Sequence, residues 1–268
     1  MNQYKDFILD ILDKTSFIAV RSFGKVSGTT KLKDNNQVLT ETDIEIGKTI
    51  VSAIREQFPD HNIIDEETGV VDNGSQYTWV VDPIDGTSNF ANGVPTYGIM
   101  VGLLDSATPI AGGITLPSFG LTYVATKGGG TFCNGQQVHA TTETDLLKLL
   151  VAYGIDGHQE NPQITTDETA TLSKIILAVR NLRSSNSAFD ASLVADGRYG
   201  AWLNRTSKIW DNVAQQIVIE EAGGKYTDFF GKPMDYSSPL TKVDDNFSLC
   251  AAAPALHAQL QKIITANS

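Results

Sequence analysis

Apolar residues recur along the chain at two spacings, helical in some stretches and alternating or continuous in others. Between residues 6 and 23, Phe7, Ile8, Ile11, Leu12, Ile18 and Val20 fall at roughly helical intervals, which predicts an opening amphipathic helix. GKVSGTTKLKDNNQV, with Gly, Thr, Asn and Lys and little period, reads as loop or hairpin. TETDIEIGKTIVSAIREQF predicts a second helix with Ile44, Ile50, Val51, Ile54 and Phe58 as its apolar stripe. Thr42 with Glu45 three residues on reads as a capping box, which would leave Asp43 in an exposed first turn.

HNIIDEE and TWVVD are short apolar runs that end in acids. YGIMVGLLD, PIAGGITLP and LTYVATKGGGTFCNG are successive strands with Gly and Pro turns, an antiparallel meander; the Gly run is a hairpin rather than a phosphate loop, because no strand-to-helix pattern follows it. LLVAYGI predicts a strand, TTDETATLSKIILAVRNL a helix and VRNLRSS the start of a return strand. AFDASLVADG predicts a helix ending at Gly197. WDNVAQQIVIEEAGG predicts another, with Val213, Ala214, Ile217, Val218 and Glu221 in register and Gly223-Gly224 as its stop. FSLCAAAP is a late strand before a closing helix. Strands and helices come in blocks, which predicts layered α+β sheets rather than a repeating βαβ fold. A soft boundary near Thr141 to Leu150 divides 1–145 from 146–268 within one compact unit.

Composition narrows the partners. Of 268 residues, 41% are hydrophobic, and the formal charge of −11 makes the surface unsuited to nucleic acid or anionic membrane. An acidic protein that handles an anionic ligand must neutralise it locally, and a divalent cation can do so. Cys133 and Cys250 stand far apart, which argues against a disulfide. The N-terminus lacks a signal-peptide pattern and no run approaches a membrane span, so a soluble cytoplasmic protein is expected. His61, His139, His158 and His257 share no ligand spacing and read as surface residues.

Acids mark the ends of elements: Asp43, the Glu66-Glu67 pair, Asp82 with Asp85, and Asp211. Taken singly they are ordinary caps, first-turn residues or turns. YTWVVDPIDGTSNF is different. A hydrophobic run ends in Asp82-Pro83, Asp85 returns to the same edge, and the Ile84 carbonyl lies between them. Hard cations such as Mg²⁺ take such oxygen ligands at about 2.0–2.1 Å. Gly86 allows close backbone approach, and Thr87 opens a short helix whose N–H groups would seat phosphate.

WVVDPIDGTSNF, TETD, IIDEET and IWDNVA…EEAGG together resemble, in order and spacing over nearly the whole chain, the signatures of the inositol monophosphatase family of Mg²⁺-dependent, lithium-sensitive phosphatases. The resemblance implies a five-layer αβαβα sandwich and a homodimer. It implies Glu66, Asp82 and the Ile84 carbonyl as ligands of a first ion, with Asp82, Asp85 and Asp211 as ligands of a second and a weaker third ion near Glu66. Asp43 and Thr87 would position and deprotonate the attacking water, and Gly86 and Thr87 amides would hold phosphate oxygens. The implied partner is a small phosphorylated metabolite, with inositol 1-phosphate as the default.

Departures cluster where the substrate's alcohol would be read. Asn186 replaces a common glycine before Ser187 and Ala188, which belong to the implied substrate set. Asn204 replaces a glutamate that accepts sugar hydroxyls in inositol-specific members, and Asp65 replaces a glycine, adding acid near the site. Arg205 and Lys208 are cations at which a second anionic group could dock, as in fructose 1,6-bisphosphate or 3′-phosphoadenosine 5′-phosphate; histidinol phosphate is a further alternative. A catalytically silent relative would lack a ligand or a water-activating residue, and none is missing here.

Overall fold

Helix α1 (Asn2–Ser22) buries one stripe, Tyr4, Phe7, Ile8, Ile11, Leu12, Thr15 and Ala19, while Val20 stays exposed. The computed structural model describes residues 2–25, 29–31 and 37–266. Most of the segment read as loop or hairpin lies outside these; its flanks pair as antiparallel β1 (Thr29–Lys31) and β2 (Gln37–Leu39). Helix α2 (Glu41–Gln57) is capped two residues earlier than the sequence predicts. Thr40 is the N-cap and Asp43 the third helical residue, so the capping box is Thr40 with Asp43, not Thr42 with Glu45. That register turns Ile46, Ile50, Val51 and Ile54 inward, and Asp43 is buried rather than exposed.

Strands β3 (Asn62–Asp65), β4 (Gly69–Val71) and β5 (Tyr77–Asp85) precede the short helix α3 (Thr87–Ala91). Then come β6 (Gly98–Asp105), β7 (Thr108–Leu116), β8 (Leu121–Thr126), β9 (Gly130–Cys133) and β10 (Gln136–Val138). They form one eight-stranded sheet in the order β10-β9-β8-β7-β6-β5-β3-β4, antiparallel except for β3 against β5. The Gly run is the β8–β9 turn, and the amides of Gly128 and Gly130 donate to the Glu221 carboxylate. Glu221 thus ties a hairpin to a helix end instead of belonging to an apolar stripe.

The second half comprises β11 (Leu150–Gly154), α4 (Pro162–Ala178), β12 (Asn181–Arg183), α5 (Ser187–Ala195), β13 (Ala201–Ser207), α6 (Ile209–Glu221), β14 (Lys225–Thr227), β15 (Phe247–Ala252) and α7 (Pro254–Thr265). Its sheet runs β12-β11-β13-β15-β14, with β11 parallel to both β12 and β13 through crossovers that include α4 and α5. The block reading missed these local βαβ units.

Five layers result: α1 and α2, the large sheet, α5 and α6, the small sheet, then α4 and α7. Gly112 and Gly113 show why helices can cover both faces of β7. Neighbouring strand residues point to opposite faces. A Cβ on Gly112 would lie 2.6 Å from Ile217 Cγ2 of α6, and one on Gly113 would lie 2.7 Å from Leu12 Cδ1 of α1. Buried side chains at such contacts each contribute about 1.5–3 kcal/mol. Both cysteines are free. His257 is buried, not at the surface; its Nε2 lies 2.8 Å from Thr227 Oγ1, and burial pushes its pKa down to about 4. Among the described residues, no helix is long and apolar enough to cross a membrane.

Candidate active site

A regular strand would point Asp82 and Asp85, three residues apart, to opposite faces. A bulge in β5 prevents this. Asp82 pairs with Met100 of β6 but Asp85 pairs with Gly98, so three steps oppose two. Burial shows the parity shift: Trp79, Val81 and Ile84 all join the α1/α2 core, whereas Val80 packs toward α6 with Ile209 and Val213. Asp82 and Asp85 therefore share the face toward α6. Pro83, with no N–H for a ladder, occupies the irregular stretch.

Asp211, in the first turn of α6, completes the group. One carboxylate oxygen from each of Asp82, Asp85 and Asp211 lies within 4.8 Å of the other two. Backbone amides fix two of them: Ala188 N donates to Asp85 Oδ2 at 2.5 Å and Lys208 N to Asp211 Oδ2 at 2.6 Å. Asp82 Oδ1 is buried with no hydrogen-bond partner. The three acids line a 180 Å³ cavity together with Glu66, Ile84, Gly86, Thr87, Ser88 and Trp210. Among the described residues no Lys, Arg or His lines it.

Such crowding pushes carboxylates toward the protonated form. Burial, then the charges of Glu66, Asp85 and Asp211, raises Asp82 well above the carboxylate range. Burial, then Asp211, does the same to Asp85. Asp211 is pushed up to about 6 by burial, opposed by the Lys208 N–H. An all-oxygen donor set with an orphaned buried oxygen and no compensating cation fits a hard divalent ion.

Asp43 sits beside this cavity, at the start of α2. Thr40 donates to its Oδ2 from both backbone N–H (2.9 Å) and hydroxyl. Its Oδ1 lies 2.9 Å from Thr87 Oγ1, which also stands 2.8 Å from the Ile84 carbonyl. The single hydroxyl hydrogen serves one of these acceptors at a time. Burial raises the pKa of Asp43 against these bonds. Gly86, at φ +81°, enters α3; a Cβ there would lie 2.8 Å from Asn186 Cγ, so glycine allows both the backbone turn and the approach of the 184–187 loop.

A second cavity of 340 Å³ shares Asp85, Gly86, Ser88 and Asp211 with the first. Ser187 and Asn204 line it. Ser187 Oγ accepts from Gln215 Nε2 at 2.5 Å, and the Ala188 amide is already committed to Asp85. Arg205 and Lys208 line neither cavity. Strand alternation explains Arg205: Asn204 and Thr206 face the cavity, while the guanidinium between them lies 5.5 Å from the Phe229 ring and 5.6 Å from that of Phe230. Lys208 Nζ donates to the Asp244 carbonyl at 2.8 Å. Asp65 is also absent from both linings. Its Oδ1 accepts from Glu67 N, Thr68 N and the Thr68 hydroxyl, closing the turn that carries Glu66.

Sequence reasoning missed Trp210 in the first cavity and Asp156 and Asp190 in the second. Asp190 could have been found as an acid on the apolar side of a helix: it is fully buried, accepts from the Ser185 and Asn186 amides, and is pushed up to about 7 by burial.

The sequence model of the inositol monophosphatase family matches residues 9–265. A fructose-1,6-bisphosphatase/inositol-1-monophosphatase of Aquifex aeolicus is 32% identical over 223 residues, 81% of each chain. Among solved structures, an IMPase of Thermotoga maritima superposes with a TM-score of 0.85 at 26% identity, covering 99% of this chain and 98% of its own. The extragenic suppressor protein SuhB of Bartonella henselae shares the fold at a TM-score of 0.87 and 22% identity, with 98% of each chain covered.

Proposed function

The chain belongs to the inositol monophosphatase family of phosphoric monoester hydrolases, and we propose that it hydrolyses the phosphomonoester of a small alcohol, inositol 1-phosphate being the default, with Mg²⁺ in the acidic cavity. The observation that carries this reading is the Asp82–Asp85–Asp211 group beside the Asp43–Thr87 pair. Asp82, Asp85 and Asp211, with Glu66 and the Ile84 carbonyl on the same wall, would hold the ions. Bound divalent cations supply shielding of the phosphate dianion, acidification of water and stabilisation of the leaving alkoxide.

The protein's own groups do the rest. Amides of Ala188 and Lys208 keep two carboxylates from rotating away. Thr40 occupies Asp43 Oδ2, so Oδ1 is the oxygen left to act through Thr87 on a water proton. The first turn of α3, opened by Gly86, offers N–H groups without helical acceptors to phosphate oxygens. Positioning and electrostatics suffice for phosphoryl transfer to water, which needs no Cys or Ser nucleophile. Arg205 and Lys208 lie outside both cavities and so lend the doubly anionic ester no support; that alternative rests on the fructose-1,6-bisphosphatase in the name of the Aquifex aeolicus relative.

The test is phosphate release from inositol 1-phosphate, fructose 1,6-bisphosphate and glycerol 2-phosphate with Mg²⁺ or EDTA. Release that requires Mg²⁺ is expected. Equal release in EDTA refutes the metal role, and no release from any ester refutes the phosphatase assignment for these substrates.

A further inference from the structure

We propose that the second cavity selects an alcohol that carries a positive charge, an ammonium group received by Asp156 and Asp190. This rests on the phosphatase reading, since the cavity continues from the phosphate end through Asp85, Gly86, Ser88 and Asp211. Whatever ester places its phosphate in the first cavity extends its alcohol into the second.

The wall of that cavity has one sign of charge. Its charged residues are Asp85, Asp211, Asp156 and Asp190, and among the described residues no Lys, Arg or His lines it. Asp85 and Asp211 belong to the ion site, which leaves two carboxylates for the alcohol. Asp190 is the stronger sign of a ligand: it is fully buried, its Oδ2 accepts from the Ser185 and Asn186 amides, and its Oδ1 has no partner. Burial pushes Asp190 up to about 7, so its charged form is costly without a donor, and an ammonium group would both supply one and favour the carboxylate. Asn204 is neutral, and its Oδ1 is taken by Thr206 N.

The His158 ring, its Nε2 3.3 Å from Thr206 Oγ1, stands close enough to favour the charged form of Asp156, while the nearby Arg and Lys side chains are engaged outside the cavity. Arg205 lies by the Phe229 and Phe230 rings, Lys208 Nζ is on the Asp244 carbonyl, and the exposed Arg183 donates to the Leu182 carbonyl. A second phosphate would meet two carboxylates, so rejection of anions is part of the selectivity.

A matched trio of esters tests this at pH 7: glucosamine 6-phosphate, glucose 6-phosphate and glucose 1,6-bisphosphate. With Mg²⁺, kcat/KM for the amine is expected to exceed that for the neutral sugar by roughly 10- to 100-fold, the value of a charge-assisted hydrogen bond, with the bisphosphate last. Asp156→Asn should bring the amine-to-neutral ratio to within about threefold, the change expected when a charged partner becomes neutral. Asp190→Asn is the second variant, its folding checked by circular dichroism because Asp190 also anchors the loop. Equal kcat/KM for amine and neutral sugar, or preference for the bisphosphate, overturns the proposal. Calorimetric Kd values for the same trio on the Ca²⁺-loaded protein read the cavity without turnover. If no ester is hydrolysed, the phosphatase reading falls, and the calorimetric order by itself supports or overturns the charge selection.

Discussion

The two cavities that meet at Asp85 and Asp211 are built in opposite ways. The proposed phosphate end draws its carboxylates from the ends of regular elements: a bulged strand contributes Asp82 and Asp85, and first helical turns contribute Asp43 and Asp211. The alcohol end is assembled from segments far apart in sequence: the loops after β11 and before α5, the first turn of α5 and the end of β13. Chemistry that must be held to fractions of an ångström sits on rigid elements, whereas Asp156, in the loop after β11, sits where a change need not disturb the carboxylate group.

The sharpest way to break this division is Asp85→Asn. Asparagine can still accept from the Ala188 amide, so the local contact is retained. Turnover should nevertheless fall at least ~100-fold, about 2.7 kcal/mol of barrier, because the lost charge belongs to the proposed ion site. Near-normal hydrolysis with Mg²⁺ would remove Asp85 from the phosphate end and erase the contrast between the cavities.

A smaller and sign-definite effect concerns stability. Burial raises Asp82, Asp85, Asp211 (to about 6) and Asp190 (to about 7) above the ~3.9 of an unfolded aspartate. Without metal, the folded state binds more protons than the unfolded one, so this contribution to stability is full at low pH and is lost as pH rises through the folded values. His257, held neutral, works in the opposite direction below about pH 6.5. Between pH 6.5 and 8 the melting temperature in EDTA should therefore fall, and Mg²⁺ should raise it more at pH 8 than at 6.5. A flat or rising profile in EDTA, read by calorimetry, would mean that the acids are not strained by one another. Asp85→Asn should flatten the fall.

The same division decides what was legible in the sequence. Asp82, Asp85 and Asp211 declared themselves because strand ends and helix starts are local patterns. Asp43 was found but its burial was not, since Thr40 and Thr42 are equally good caps by type and only packing selects Thr40. The meander of β6 to β9 followed from turn residues. The parallel pairing of β11 with β12 and β13 did not, because apolar runs say nothing of strand direction. At the alcohol end, Asp156 and Asp190 lie 34 residues apart in sequence and meet only through the fold. Arg205 was assigned a role from its nearness in sequence to Asn204, yet one step along a strand is enough to face the other way.

Arg205→Ala makes that last point measurable, and its expected effect is the smallest. The guanidinium lies by Phe229 and Phe230 in the outer layer, so its removal should cost about 0.5–1 kcal/mol of stability, as cation–π contacts at such sites do. Backbone hydrogen bonding is untouched, because the Arg205 carbonyl still accepts from Asn246 Nδ2. Relative kcat/KM across mono- and bisphosphate esters should stay the same, because the side chain reaches neither cavity. A selective loss of bisphosphate hydrolysis would show that Arg205 swings toward the substrate during turnover. The acid-only wall would then be a property of the resting protein, and the division between the two cavities would have to include a cation that moves between the two faces of β13.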